Sequence, residues 1–134
     1  MNSILLILYF FMSSVLLLLT EPMTSPLAWY SVELAKSLLQ QGAQVKLFFY
    51  QDAASIANRL NWRPSDEPNL AQLWHQLDLD CAVCVSAALL RGVTDKDNAT
   101  RHQLEGENIA EGFRLVGLGD LADSMLQVDR VIHL

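Results

Sequence analysis

The sequence predicts a single-domain α/β fold, a three-layer sandwich with a small, mainly parallel sheet of about four strands. Three observations carry this. Short apolar, β-rich runs alternate with segments whose apolar residues recur every three or four positions, the order that a parallel sheet with right-handed helical crossovers produces. The first of these runs is continuously apolar rather than alternating, as in strands buried on both faces. A chain of 134 residues is enough for one core and too short for two ordinary domains.

The elements follow in order. "SSVLLLLTEP" (13–22) reads as a buried strand ending in a proline-marked turn. "SPLAWYSVELAKSLLQQGAQ" (25–44) is a helix, with Ser25 as cap, Pro26 at its first position and Gly42 as its stop. "QVKLFFY" is the second strand, "DAASIANRL" a short helix, and "NWRPSDEP" a loop punctuated by two prolines. "NLAQLWHQLDL" is an amphipathic helix with Leu70, Leu73, Trp74 and Leu77 on one side. "CAVCV" is a short buried strand running into a helical "SAALL". "GENIAEGFRLVG" (106–117) and "LGDLADSMLQ" (118–127) are both expected to be helical, and "DRVIHL" closes as the last strand.

The beginning of the chain departs from this order. "MNSILLILYFFMSSVLLLL" is apolar, but it has no positive flank, the first basic residue being Lys36. Ser13 and Ser14 interrupt it well short of the ~20 apolar residues of a spanning helix. Residues 1–11 are therefore expected to be a non-native N-terminal extension, with the protein starting at Met12 and the domain occupying 12–134. A signal or anchor segment is the alternative.

Charge excludes one class of function. With 15 acidic and 9 basic residues the net charge is −6, which repels the phosphate backbones that clustered Lys and Arg bind. Direct nucleic-acid binding by this chain alone is not expected. Two cysteines do not make a secreted disulfide scaffold, so a reducing, cytoplasmic setting is the default and no membrane association is expected.

Those cysteines, Cys81 and Cys84, stand three positions apart. A disulfide needs Cα atoms within about 7 Å, whereas three extended steps separate them by about 10 Å and turn the side chains to opposite faces. A metal clip meets the same objection, and His75, His102 and His133 are scattered. No metal or cofactor is expected. Cys81, at the start of the strand, reads as a small core hydrophobe. Cys84 ends the strand where reactive groups of open α/β sheets gather, and the helix start that follows favours a thiolate. Arg91 would add positive charge if the chain turns back. From the residues alone, a nucleophilic Cys84 and a pair of inert core cysteines both remain open.

"CVSAALLRGVTD" taken with "LFFYQDAASIAN", "PSDEPNLAQLWHQL", "ENIAEGFRLVGLGDLADS" and the terminal "DRVIHL" resembles the TusD/DsrE family of sulfurtransferase subunits, from about Ser14 to Leu134. The resemblance implies a DsrE/F-like α/β sandwich that joins TusB- and TusC-like sister subunits in a heterohexamer. It implies that Cys84, directly before the "VSAALLRG" segment, carries sulfur as a persulfide. It implies a TusA-like donor, a TusE-like acceptor and a relay serving 2-thiouridine formation at the tRNA wobble position. A DsrE-like role in sulfur oxidation and a non-catalytic assembly subunit are the alternatives. Persulfide exchange further implies a thiol that is partly exposed. One departure stands out: "TEPMTSPLAWY" follows the first strand where family members carry a glycine-containing segment, and Pro22 and Pro26 forbid backbone shapes that glycine permits.

Weaker signals are read as structure. "GLGDLA" (117–122) fits G-x-G-x-x-A, but a dinucleotide site needs a strand before it and an acid about 20 positions after it, and only twelve residues remain. "TDKDN" and "DLD" are expected to be solvated turns. "NAT" (98–100) carries no meaning as a glycosylation acceptor in the cytoplasm. Trp29, Trp62 and Trp74 are expected in the core or at an interface.

Overall fold

A computed structural model describes residues 13–134. The expected extension over 1–11 and start at Met12 lie outside them. Among the described residues five strands form one sheet in the order β4-β3-β2-β1-β5, with each of these pairings parallel: β1 (Ser14–Leu19), β2 (Gln44–Phe49), β3 (Cys81–Cys84), β4 (Phe113–Val116) and β5 (Arg130–His133). The fold class stands as expected, with one more strand.

The extra strand is β4, and it corrects the helical expectation for 106–117. Gly112 adopts φ +87°, which ends any helix there, and Phe113 and Val116 are buried while Arg114 is exposed. A strand therefore does precede "GLGDLA", contrary to the expectation from sequence. The following segment opens a helix with Gly117 as its N-cap. "TDKDN" is likewise no free turn, because Asp95 accepts from the Asn98 backbone N–H at 2.8 Å and caps a helix.

Helix α1 (Pro26–Gln40) begins as the sequence indicates: Ser25 Oγ accepts from the Leu27 N–H, Pro26 takes the first turn, and Gly42 turns out at φ +84°. After β2 the chain enters a seven-residue 3-10 helix, Gln51–Ala57, rather than an α-helix. Helix α2 (Leu70–His75) is capped by Asn69, and α3 (Val85–Leu90), α4 (Lys96–Arg101) and α5 (Leu118–Gln127) complete the set.

Topology places these helices. From β1 to β4 the chain moves one way across the sheet, so right-handed crossovers put α1, α2 and their connections on one face. From β4 to β5 it jumps back past β1, which sends α5 to the other face. Register and strand alternation agree. Leu47, Cys81 and Phe113 are partners across β2, β3 and β4, as are Phe49 and Val83, and these rows meet the first helical layer. There Phe49 lies edge-on to Trp74 of α2 (5.5 Å, 89°) and to Phe113 (5.1 Å, 64°). The intervening row, Phe48, Ala82 and Arg114, meets α5. That second layer is thin: α5 has no fully buried residue and exposes Leu118, Met125 and Leu126.

Candidate functional site

The C-terminal edge of the sheet is where open parallel sheets place reactive groups. Two strand ends matter there. β2 passes through Tyr50 into the 3-10 helix, and one strand over Cys84 ends β3 and is also the N-cap of α3. Cys84 keeps extended geometry (φ −59°, ψ 121°), so the helix starts with no intervening loop. Alternation assigns it to the α5 side of the sheet with Ala82, and Cys81 to the opposite side with Leu47 and Phe113.

Both thiols are free. Their environments differ. Cys81 is 0% exposed; burial, reinforced by the neighbouring Asp80 carboxylate, pushes its thiol up to about 12. Such a sulfur stays protonated and unreactive at neutral pH. Cys84 has no such carboxylate next to it in sequence. Its expected partial exposure, however, is not what the chain shows: Cys84 is only 2% exposed. Helix α3 follows with no loop between strand and helix and lies beside the 3-10 helix; the buried residues of α3 are Ala87 and Ala88, and those of the 3-10 helix Ala53, Ala54, Ile56 and Ala57.

Arg91, the C-cap of α3, does turn back, as the sequence allows. Its Nη1 donates to the Ala87 carbonyl at 3.1 Å, while Nε and Nη2 donate to Asp52 Oδ1 at 3.2 and 3.0 Å. Asp52 does not stand out in the sequence. It lies 39 positions away, and nothing in the linear pattern links the two. Asn108 fastens the next turn, accepting from the Thr94 N–H at 2.8 Å and donating to the Gly92 carbonyl at 2.7 Å.

A second polar cluster lies farther down the sheet on the α5 face. Arg114 makes a two-pronged bond to Asp80 (2.7 and 2.7 Å) and approaches Asp120 of α5 at 3.6 Å, and Lys46 donates to Gln127. The Arg114 guanidinium lowers the Asp80 carboxyl below its ordinary range. These side chains border a cleft of about 280 Å³. Among the described residues no group of three or more His, Cys, Asp or Glu could hold a metal ion, and no helix is long and apolar enough to cross a membrane. Of the tryptophans, Trp74 is fully buried and Trp29 half-buried, but Trp62 stands 79% exposed.

A single-domain parallel α/β sheet with a cysteine at the carboxyl end of a central strand defines a class of small thiol proteins. Comparison with known proteins narrows it. The model of the DsrE/DsrF-like family matches residues 12–134, and the chain belongs to that family. It is 39% identical over 106 residues to the sulfurtransferase TusD homolog of Aliivibrio fischeri, covering 75% of this chain and 82% of that one. It is 43% identical over 110 residues to the sulfurtransferase TusD of Pectobacterium carotovorum, covering 77% and 84%. Among solved structures, the ychN protein of E. coli superposes with a TM-score of 0.67 at 19% identity, covering 92% of this chain and 99% of that one, and it supports the fold alone.

Proposed function

We propose that this chain is the cysteine-bearing subunit of a sulfur relay, and that Cys84 holds the sulfur in transit as a persulfide. With relatives of this identity and coverage, the chain is a sulfurtransferase. Within that class, the observation that carries the reading is the position of Cys84 at the joint of β3 and α3, while Cys81 is buried in the core and burial keeps its thiol protonated.

The chemistry balances without an oxidant or reductant. The Cys84 thiolate attacks the outer sulfur of a carrier's cysteine persulfide. A new S–S bond forms at Cys84, the carrier's S–S bond breaks, and the carrier leaves as a thiolate. An acceptor thiolate then attacks the outer sulfur on Cys84, and Cys84 returns as a thiolate. The donor is TusA-like and the acceptor TusE-like, the chain works beside TusB- and TusC-like sister subunits in a cytoplasmic heterohexamer, and the sulfur serves 2-thiouridine at the tRNA wobble position. A net charge of −6 suits a subunit that meets proteins and leaves the tRNA to others.

The burial of Cys84 favours a second reading, a non-catalytic subunit that only supports assembly. Intact mass after exposure to a persulfidated carrier separates the two. A gain of one sulfur atom, localised to Cys84 by peptide mapping, is expected. A chain that gains no sulfur refutes the relay role, and sulfur gained by a Cys84→Ser variant refutes the assignment to Cys84.

A further inference from the structure

The strand next to β3 carries its alternation one residue past the last paired position. Phe48 and Phe49 of β2 stand beside Ala82 and Val83, so the residue that follows, Tyr50, falls beside Cys84. Tyr50 keeps extended geometry (φ −131°, ψ 158°), and its N–H donates to the Leu19 carbonyl at 2.8 Å, so the ladder with β1 still runs through it. Alternation turns the Tyr50 side chain to the α5 side with Phe48, the side that Ala82 and Cys84 share. The rings of Phe48 and Tyr50 agree, with centroids 6.3 Å apart and planes at 52°. Across the sheet Cys84 therefore has Val116 on one flank and the half-buried Tyr50 on the other. Val116 has no polar side-chain atom, so of these two flanks only Tyr50 brings an O–H. Thr20 comes next in the row, two strands from Cys84, and its hydroxyl is engaged with the Leu134 carbonyl at 3.2 Å and His133 Nε2 at 3.0 Å.

We propose that the Tyr50 O–H is the hydrogen-bond donor to the outer sulfur of a Cys84 persulfide. The proposal rests on the reading of Cys84 as the sulfur-carrying thiol and adds the residue that prepares that sulfur for transfer. A cysteine side chain is short, and Sγ stays close to its strand. The outer sulfur of a persulfide stands one bond farther out, toward the level at which a tyrosine ring carries its oxygen. A donor there has a chemical purpose, because an ionised outer sulfur repels an anionic nucleophile. The phenol O–H offsets that charge without giving up its proton. When a nucleophile attacks, its lone pair forms the new bond to the outer sulfur. The Sγ–S bond breaks, and its electron pair leaves Cys84 as a thiolate.

Because Cys84 is 2% exposed, the test uses small probes. The chain is loaded with glutathione persulfide, peptide mass locates the added sulfur on Cys84, and cyanide then removes it as thiocyanate at fixed pH. Tyr50→Phe keeps the ring and loses only the O–H; it releases thiocyanate about tenfold more slowly, the effect of one hydrogen bond to a charged group. Alkylation of the unloaded Cys84 by iodoacetamide, which involves no outer sulfur, stays within about twofold in the same variant. Thr20→Val, which removes a hydroxyl from the same row, releases thiocyanate at the wild-type rate. Three results overturn the donor role while leaving the relay reading intact. One is unchanged release from loaded Tyr50→Phe. Another is alkylation that falls in step with release, since packing of the ring would then be the cause. The third is an equal fall in Thr20→Val. A wild-type chain that takes up no sulfur overturns the relay reading, and the role of Tyr50 with it.

Discussion

Cys81 and Cys84 share one four-residue strand and face opposite sides of the sheet, Cys81 toward the aromatic layer of Phe49, Trp74 and Phe113, Cys84 toward α5. Their spacing, which invites a redox or metal reading, instead gives each sulfur its own environment. The odd separation is the cause, since strand side chains alternate.

The first prediction concerns that division of labour. Cys84→Ser abolishes acceptance of labelled sulfur from a persulfidated carrier while the thermal midpoint stays near wild type. Cys81→Ala leaves sulfur acceptance within about twofold but destabilises the fold by roughly 1 kcal/mol, for the small volume it removes from the core. Labelled-sulfur counting and thermal melts on both variants check this.

The second follows from the raised Cys81 thiol. Unfolded, a cysteine ionises near pH 8.5; folded, Cys81 holds its proton to about 12. Between those values the folded state binds more protons than the unfolded one, so stability is intact below about pH 8.5 and falls as pH rises above it. Melting midpoints measured from pH 7 to 10 should therefore drop more steeply for the wild type than for Cys81→Ala. Parallel slopes would show that Cys81 ionises equally easily in both states.

The third uses the opposite sign. Arg114 holds the Asp80 carboxyl below its ordinary range, so the pair stabilises the fold above the unfolded carboxylate value of about 3.9 and ceases to as pH falls through the lower folded value. Both side chains are more than half exposed, which limits the pair to about 0.5–1 kcal/mol at neutral pH. Arg114→Met should lower the unfolding free energy from urea melts at pH 7 by that amount and leave a smaller difference at pH 3.

Much of this is legible in the linear pattern, because local chemistry decides it. Ser25, Pro26 and Gly42 bound α1 wherever it packs, and the apolar runs at 14–19 and 44–49 have no stable alternative to a buried strand. β4 is not legible: "FRLV" is four residues long, carries Arg114 in its middle and sits beside a true helix, so only pairing with β3 makes it a strand. The same holds at the site. A cysteine at a strand end is visible in sequence, but its burial to 2% is set only by the packed fold, and the Asp52–Arg91 pair exists only once β2 and β3 are neighbours.

The last prediction sets two glycines against each other. Gly112 leads into β4 with φ +87°, and a Cβ there would fall 2.3 Å from His75 Nδ1. His75 is half exposed and its ring can swing aside, so the lasting cost is the left-handed backbone, roughly 1–2 kcal/mol for a residue with a side chain. Gly119 lies in the first turn of α5, where an added methyl group would have nothing within 4 Å and the backbone has no such φ. Alanine there removes unfolded-state freedom and favours the helix by about 0.5–1 kcal/mol. Gly112→Ala should therefore lower the urea midpoint and Gly119→Ala raise it. Equal effects of either sign would mean that Gly112 does not hold its left-handed turn in solution and that β4 enters the sheet by another path.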